Sequence, residues 1–343
     1  MNVNLQIIIG AVVMGVTGGA LVVPILPAMI EPLNATRETI GLILSIYTFF
    51  AAVFTPILGG LADRIGRKNV LVPAIILFGL AGPSIPFFTN FSYILILRAL
   101  QGIGVAGMIN LGVTLIGDLF DGQERTKAMG YMTSIQNITT AVIPFISGAL
   151  ATLVWFYPFF IYSLAIPLAL AVAYKLKIPE TKNTHSIIDY LKSIFSILKN
   201  HRTISVFSST FFLFVLLYAL AVYLPILLSD KFSLSTLYAG LSIAIFSAVS
   251  AIIAFQYGKL AAKFSKHLLV IIGFFVIGLV LFLIPFGQSY TVLVLFLILW
   301  GIGFGIILPT LNILATELAP RHLRAGVVSV VIMMSYLGAT ISP

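Results

Sequence analysis

Apolar runs of about twenty residues recur along this 343-residue chain, and they constrain its fold more than any other feature. A helix of that length crosses the ~30 Å hydrocarbon core of a bilayer. Charged residues make up only 8% of the sequence, too few to surround a soluble core of this size. The runs predict ten complete spans and an eleventh that begins near residue 326, with the ten at 5–30, 40–62, 70–88, 92–117, 128–153, 155–178, 203–229, 238–260, 267–286 and 290–316.

Composition narrows the class to an all-α polytopic membrane protein. Backbone groups in lipid must bond to one another, and the alternating pattern of barrel strands is absent from the sequence. The first run has no basic stretch and no cleavage site before it, so it is predicted to be a span and not a signal peptide. The absence of cysteine excludes disulfides and thiolate metal sites, and the four His residues are scattered. We therefore expect no metal and no cofactor.

The distribution of basic residues predicts the orientation. If the N-terminus is cytoplasmic, all of the nineteen Lys and Arg residues except Arg37, Lys231 and Arg98 fall in cytoplasmic segments. Short loops rich in Lys and Arg stay in the cytoplasm, so we expect a multi-pass protein of the cell membrane with its N-terminus inside. The net charge of +9 then reflects topology and does not indicate a nucleic-acid partner.

The chain also contains an internal repeat with a constant separation of 199 residues. Asp118 corresponds to Glu317, Arg125 to Arg324, and the string "GGLADRIGRK" to "GKLAAKFSKH". Such a repeat predicts two helical bundles in the same orientation, as in transporters whose site lies between two halves. We expect bundles at 1–178 and 203–343, joined by a cytoplasmic linker at 179–202 that contains an interfacial helix. Because copy two stops at Pro343, we expect a fragment that lacks the end of span 11 and all of span 12.

The loop after span 2 is the most charged part of the first copy. Gly59 and Gly60 are predicted to end span 2 and allow close helix approach, and Asp63 can accept from a helix N-terminus or from Arg67. A basic loop is often only a topology signal, but here the order of residues is specific. It resembles the signature loop of the major facilitator superfamily through Gly59, Leu61, Ala62, Asp63, Arg64, Gly66, Arg67 and Lys68.

The resemblance extends over the whole chain. "LRALQGIGVAG" resembles that family's R-x-x-Q-G-x-G pattern in span 4, and "VVPILP" resembles the end of span 1 in its drug exporters. The family implies two six-helix halves that rock to give alternating access, with Asp63 locking spans 2 and 11 in the outward-facing state. We expect Asp118, Glu124 and Arg125 to complete a cytoplasmic charge network.

Two departures from the family pattern weaken part of this inference. "TAVIPFISGAL" in span 5 has Ile143 and Ser147 where proton antiporters carry glycine, although it keeps Pro144 and Gly148. Ala262 stands in the second copy where the first has Asp63, so any lock is one-sided.

Two residues are candidates for coupling transport to an ion, which we expect to be a proton. Arg98 is the one ionisable group predicted to lie well inside a span, where it either pairs with substrate or a carboxylate, or snorkels to the nearby external surface. Glu31 follows the proline pair of span 1 and is a weaker candidate for the proton carrier, because no carboxylate is predicted at mid-membrane.

Several polar and aromatic residues are candidates for lining a substrate cavity. Span 5 carries one polar stripe at helical spacing, formed by Thr133, Gln136, Asn137 and Thr140. The stripe either lines a central path for the solute or bonds to a neighbouring helix. Aromatic residues of span 7, Phe207, Phe211, Phe214 and Tyr218, either hold a flat solute or face lipid. The full set of cavity candidates is Gln101, Asn110, Thr114, Thr133, Gln136, Asn137, Thr140, Phe211, Tyr218, Trp300 and Asn312.

These features together predict a monomeric secondary transporter that exports drug-like or small organic solutes in exchange for protons. Uptake of a sugar or organic acid, by symport or facilitated diffusion, is the alternative. A membrane enzyme would show clustered His, Asp or Ser motifs, and a transporter driven by ATP bound to this chain would show the G-x-x-x-x-G-K-[ST] loop; neither is present in the sequence.

Overall fold

The computed structural model describes residues 3–178, 201–318 and 324–342, and all the regular structure within these ranges is helical. Ten helical segments there are long and apolar enough to cross a membrane. An eleventh helix has a shorter apolar part, Val330–Ile341. Nearly all of the predicted linker at 179–202, with its interfacial helix, lies outside the described residues, as does Pro343.

The first six spans occupy residues 3–175. Span 1 consists of the helix Val3–Ala20, a 3₁₀ turn at Val23–Ile25 and the short helix Leu26–Ile30. Spans 2 to 5 are Leu42–Ile65, Arg67–Ser84, Phe91–Leu119 and Gly122–Ala151. Span 6 begins as a 3₁₀ helix, Tyr157–Leu164, and continues as the α-helix Ala165–Lys175.

The remaining spans follow the undescribed segment. Spans 7 and 8 are His201–Phe232 and Thr236–Phe255, and the short helix Tyr257–Ala261 follows span 8. Spans 9, 10 and 11 are Lys266–Leu283, Tyr290–Leu318 and Arg324–Ile341.

The helices differ from the predicted runs mainly at polar ends, which hydrophobicity alone does not define. Span 2 continues to Ile65, so Gly59 and Gly60 lie within its last two turns and do not end it. Gly66 ends it instead, with a φ of 97° that favours glycine, and span 3 begins at the next residue. Span 5 begins at Gly122, six residues before the predicted boundary at 128, because its first turns are polar but helical.

The 199-residue repeat reappears as repeated helix packing. A Cβ built on Gly102 would lie 2.3 Å from the carbonyl oxygen of Tyr47, and one on Gly301 would lie 2.8 Å from that of Phe246. Both glycine positions and both carbonyl positions are 199 residues apart. Span 10 therefore packs on span 8 as span 4 packs on span 2, through a glycine that allows the backbones to touch.

Two hydrophobic clusters correspond to the two sets of spans, here called the first group (spans 1–6) and the second group (spans 7–11). One cluster draws most of its buried residues from the first group, and Tyr218 and Tyr336 of the second group pack against it. The other cluster is built from residues of the second group, including the fully buried Trp300.

The groups pack together chiefly through span 2 against span 11 and span 5 against span 8. The spans run between two faces of the molecule, which are named here by the residues that they carry. We call the face that carries the loop at Gly66 and the start of span 9 at Lys266 the basic face, and the face that carries Arg37 and Asp230 the opposite face.

Candidate functional site

Near the opposite face, the two groups of helices are joined by direct contacts. The hydroxyl of Thr236 in span 8 donates to the carbonyl of Gly148 in span 5 at 2.9 Å. A Cβ on Gly240 would lie only 2.3 Å from the carbonyl oxygen of Pro144, so the two helix backbones touch. The exposed ion pair between Arg37 and Asp230, at 2.9 Å, also joins the groups at this face. We call these contacts the seal.

Span 2 and span 11 add a further contact to the seal. The hydroxyl groups of Thr48 and Thr340 lie 3.0 Å apart, although these residues are separated by 292 positions in the chain. Thr48 is fully buried, so this hydrogen bond forms inside the protein and not at its surface.

The polar stripe of span 5 continues from the seal toward the basic face. Pro144 and Gly148 face the second group. Helical spacing places Thr140, Asn137 and Thr133 on the same side of the helix, nearer the basic face. These three residues are exposed, whereas Ser147, on the adjacent side, is fully buried. The stripe therefore borders open space between the seal and the basic face. Gln136, at the edge of the stripe, is half-buried.

Tyr218 is the aromatic residue of span 7 that reaches the first group. A Cβ built on Gly19 of span 1 would lie 3.6 Å from its hydroxyl oxygen, and its ring packs on the core of the first group. Tyr336 of span 11, which the sequence did not single out, packs on the same core.

The other aromatic residues of span 7 do not form a flat wall with Tyr218. Phe207 is buried in the core of the second group, and Phe214 packs edge-to-face on Phe304 of span 10. Phe211 is half-buried and contacts Phe212. Phe207 and Phe214 therefore pack inside the second group and do not form an aromatic wall with Tyr218, whereas the role predicted for Phe211 and Tyr218 stays a prediction.

Arg98 is fully buried and does not snorkel to a membrane surface. Its guanidinium donates to the carbonyl of Ile43, to the carbonyl of Gly18 and to the side-chain oxygen of Gln101, at 3.1, 3.1 and 2.5 Å. It also stacks over the ring of Tyr47, 4.3 Å from the ring centre. Its partners are carbonyl oxygens and an aromatic face, so it ties spans 1, 2 and 4 together within the first group.

The remaining cavity candidates are buried or half-buried, except for Asn312. Gln101 and Trp300 are fully buried, and each has a side-chain N–H that finds no hydrogen-bond partner within the described residues. Asn110 lies against Gly59, where an added Cβ would come within 2.9 Å of its side-chain nitrogen. Thr114 donates to the carbonyl of Asn110, and Asn312 is exposed in span 10.

The charged loop forms an ion-pair network on the basic face. Arg67 pairs with Asp118, and with Asp63 at 3.2 Å, so Asp63 binds Arg67 as the sequence suggested. The side chain of Arg125 comes close to Gly117, whereas Glu124 is exposed and makes no ion pair with any other described residue. Lys68 donates to the carbonyl of Leu176 at 3.2 Å and ties the loop to span 6.

The second group carries the same ion pair at the equivalent position. Lys266 pairs with Glu317, and these residues correspond to Arg67 and Asp118 through the 199-residue shift. The network is thus duplicated except for the partner that Asp63 provides in the first copy.

The carboxylates of the described residues lie at or near the ends of spans. Glu31 is exposed after span 1, on the opposite face. In the loop that follows, a hydrogen bond from Thr36 lowers the pKa of Glu38, which therefore stays ionised at neutral pH.

A cavity of about 740 Å³ lies away from the junction between the groups. It opens at the basic face between spans 7, 9 and 10, and its lining includes Ser205, Lys266 and Leu314. The equivalent surface of the first group is covered by span 6, since a Cβ on Gly10 would meet Leu168 at 3.1 Å. We therefore do not place the transport path in this cavity.

Comparison with known proteins identifies the family of this arrangement. The sequence model of the Major Facilitator Superfamily matches residues 7–343. The chain belongs to the Major Facilitator Superfamily. Its family and its structural neighbours indicate a transport protein of the membrane.

Two bacterial proteins, one named for export and one for drug resistance, are similar to the chain in sequence. The bacillibactin exporter of Bacillus subtilis (strain 168) is 29% identical over 343 residues, an alignment that covers 95% of this chain and 84% of that protein. The quinolone resistance protein NorA of Staphylococcus aureus is 32% identical over 144 residues, or 42% of this chain and 37% of that protein.

Solved structures of other transporters share the fold. A bacterial homolog of the human lysosomal transporter Spinster, in an inward-facing and unoccupied conformation, matches with a TM-score of 0.83 at 16% identity, over 99% of this chain and 80% of that one. A mutant of the nucleoside transporter NupG matches with a TM-score of 0.79 at 17% identity, over 99% of this chain and 90% of that one.

Proposed function

We propose that this member of the Major Facilitator Superfamily is a secondary active transporter that exports small organic solutes in exchange for protons. The observation that carries the proposal is the polar stripe of span 5, which borders open space on one side of a seal between the two helix groups. Polar residues inside a span are costly unless they face protein or water, so this stripe is suited to line a path for solutes.

The seal supports alternating access by two bundles, at 1–178 and 203–343. It closes one end of the junction through contacts that rigid-body rocking of the bundles would break. If the basic face is cytoplasmic, as the distribution of Lys and Arg predicts, this conformation opens toward the cytoplasm. A solute would then enter from the cell interior and leave after the seal opens.

Export as the direction of transport is supported by the relatives. The bacillibactin exporter and NorA carry names that describe export of, or resistance to, organic molecules, and the first aligns with nearly the whole chain. We therefore favour an organic solute over an inorganic ion as the substrate.

Transport by the purified protein in proteoliposomes tests this function. With an imposed pH gradient, we expect uphill flux of at least one solute from a panel of cationic and neutral drug-like fluorophores, and we expect a protonophore to abolish it. Downhill flux that the protonophore leaves unchanged would contradict proton coupling and favour facilitated diffusion.

Replacing Glu31 tests the proposed proton carrier in the same assay. A carrier must be titratable and reached from both sides in turn, and Glu31→Gln removes the titratable group. We expect proton-driven flux to fall about tenfold or more, while solute exchange without a gradient continues. Glu38→Gln, which changes another exposed carboxylate on the same face, is the matched control and should leave coupled flux unchanged. Equal flux in both variants would exclude Glu31 as the carrier.

A further inference from the structure

Span 1 is interrupted between Ala20 and Val23, and the carbonyls of Gly18 and Leu21 are among those that lose their donor four residues on. In a continuous α-helix the amide of Val22 would donate to Gly18, but here it donates to Gly19 at 3.1 Å. The amide of Ile25 would donate to Leu21, but it donates to Val22 at 3.1 Å. Pro24 contributes to the interruption because it has no backbone N–H.

Side chains from three other spans bind these two carbonyls. The carbonyl of Gly18 accepts from Arg98 of span 4 at 3.1 Å and from the hydroxyl of Tyr162 in span 6 at 3.0 Å. The carbonyl of Leu21 accepts from the hydroxyl of Ser147 in span 5. All three donor residues are fully buried. A buried carbonyl left without a donor is costly, so these hydrogen bonds determine where the chain of span 1 can bend.

The bent segment of span 1 is also the part of that span that reaches the second group. Pro24, Pro27 and Ala28 line one side of a narrow cleft of about 170 Å³. Its other side is formed by residues of spans 7 and 8 and the turn between them, including Pro225 and Thr236. This cleft lies at the seal, since Thr236 donates to Gly148.

Ser147 links the two features directly. Its hydroxyl binds span 1, and the next residue, Gly148, contacts span 8 through its backbone. Ser147 is also a position where the antiporter pattern of span 5 has glycine. The departure from the pattern therefore adds a hydrogen-bond donor where span 1 has released an acceptor.

We propose that Ser147, Tyr162 and Arg98 are positioning residues that hold the bend of span 1 in the shape required to close the seal. They act through span 1 and need not contact the solute. The proposal rests on the proposed function only in assigning this closure to the transport cycle. The hydrogen bonds lie within the first group, so they fix one surface of the seal in advance of closure.

Distance measurements between spin labels test the proposal without depending on transport. The chain has no cysteine, so labels can be placed by single substitutions. Leu153→Cys and Gln288→Cys report on the opposite face, and Gln123→Cys with Lys263→Cys reports on the basic face; all four positions are exposed. The parent should show a short distance on the opposite face.

Ser147→Ala and Tyr162→Phe each remove one hydroxyl group. We expect either variant to move the equilibrium toward a longer distance on the opposite face and a shorter one on the basic face, by about fivefold in population, the effect of losing one buried hydrogen bond. Ser147→Thr, which keeps the hydroxyl, should restore the parent distribution. Thr139→Val is the matched control, because Thr139 is buried in the same span but donates to its own helix at Ile135.

Two outcomes would overturn the proposal. One is a parent-like distance distribution in both hydroxyl variants, and the other is an equal shift in Thr139→Val. If the parent protein transports no solute, the proposed function is refuted. The distance measurements would still decide whether the bend of span 1 controls the seal. Because Tyr162→Phe keeps the aromatic ring in its packing, it serves as the test if Ser147→Ala does not fold.

Discussion

At the residue scale, Arg98 shows how a buried charge can be stabilised by carbonyl oxygens. The three acceptors of its guanidinium come from spans 1, 2 and 4, and the ring of Tyr47 covers its face. The sequence predicted that Arg98 lies inside a span, because the apolar run and the motif around it can be read from neighbouring residues. The partners could not be predicted, since two of them are backbone carbonyls on other helices.

Arg98→Lys tests this description. A lysine keeps the charge, but it cannot direct donors to three separate acceptors or stack its planar group on Tyr47. We expect the free energy of unfolding to fall by about 3–6 kcal/mol, as for the loss of two charged hydrogen bonds. Thermal unfolding in detergent, followed by intrinsic fluorescence, measures the change.

The control for this substitution is Arg64→Lys, because Arg64 is exposed in the last turn of span 2. Its unfolding temperature should match that of the parent. If Arg98→Lys is equally stable, the guanidinium geometry is unimportant, and a simple charge–dipole interaction is the better description.

At the element scale, span 5 combines three environments along one helix. Its polar stripe is exposed, Ser147 is buried against span 1, and Gly148 touches span 8. The polar stripe could be predicted from helical periodicity, which depends on the sequence of one helix. The contact with span 8 depends on where a second helix lies, and the sequence indicated only that Gly148 belonged to a family pattern.

Gly148→Ala should open the seal. An added Cβ would lie 2.4 Å from the carbonyl oxygen of Thr236, so spans 5 and 8 would have to separate by about an ångström. We expect a loss of transport of about tenfold or more, with the opposite face more accessible to a membrane-impermeant label. Unchanged transport would show that the close approach of these helices is not needed.

Gly130→Ala in the same span is the matched control for this substitution. A Cβ at Gly130 would meet no atom within 4 Å, so the change adds the same group without a clash. Both substitutions favour the helical conformation equally, so a difference between them isolates the contact between the spans.

At the scale of the whole molecule, the repeat was the most informative part of the sequence. The constant separation of 199 residues predicted equivalent helices, and the structure places the Arg67–Asp118 pair and the Lys266–Glu317 pair at equivalent positions. Aromatic residues were less predictable: Phe207 and Phe214 share a helical face with Tyr218, but they turn into the second group. Which side of a helix faces lipid, a neighbour or a cavity depends on the full assembly.

The ion pair between Arg37 and Asp230 should make closure of the seal depend on salt. Both side chains are well exposed, so the attraction is small and screened by ions. We expect Arg37→Ala to shift the opposite-face distance distribution by no more than about fivefold at low salt, and by less at about 0.5 M salt. The exchanged double variant, Arg37→Asp with Asp230→Arg, should behave as the parent does. A shift that persists undiminished at high salt would mean that the guanidinium acts through packing and not through charge.

On the proposed function, the backbone contact between Gly240 and Pro144 lies at the closed end of the path bordered by the hydroxyl and amide groups of span 5. Two backbones in contact cannot move aside as a flexible side chain can, so the depth of such a vestibule would be fixed. A fixed depth would limit the length of the cargo and leave its chemical class open.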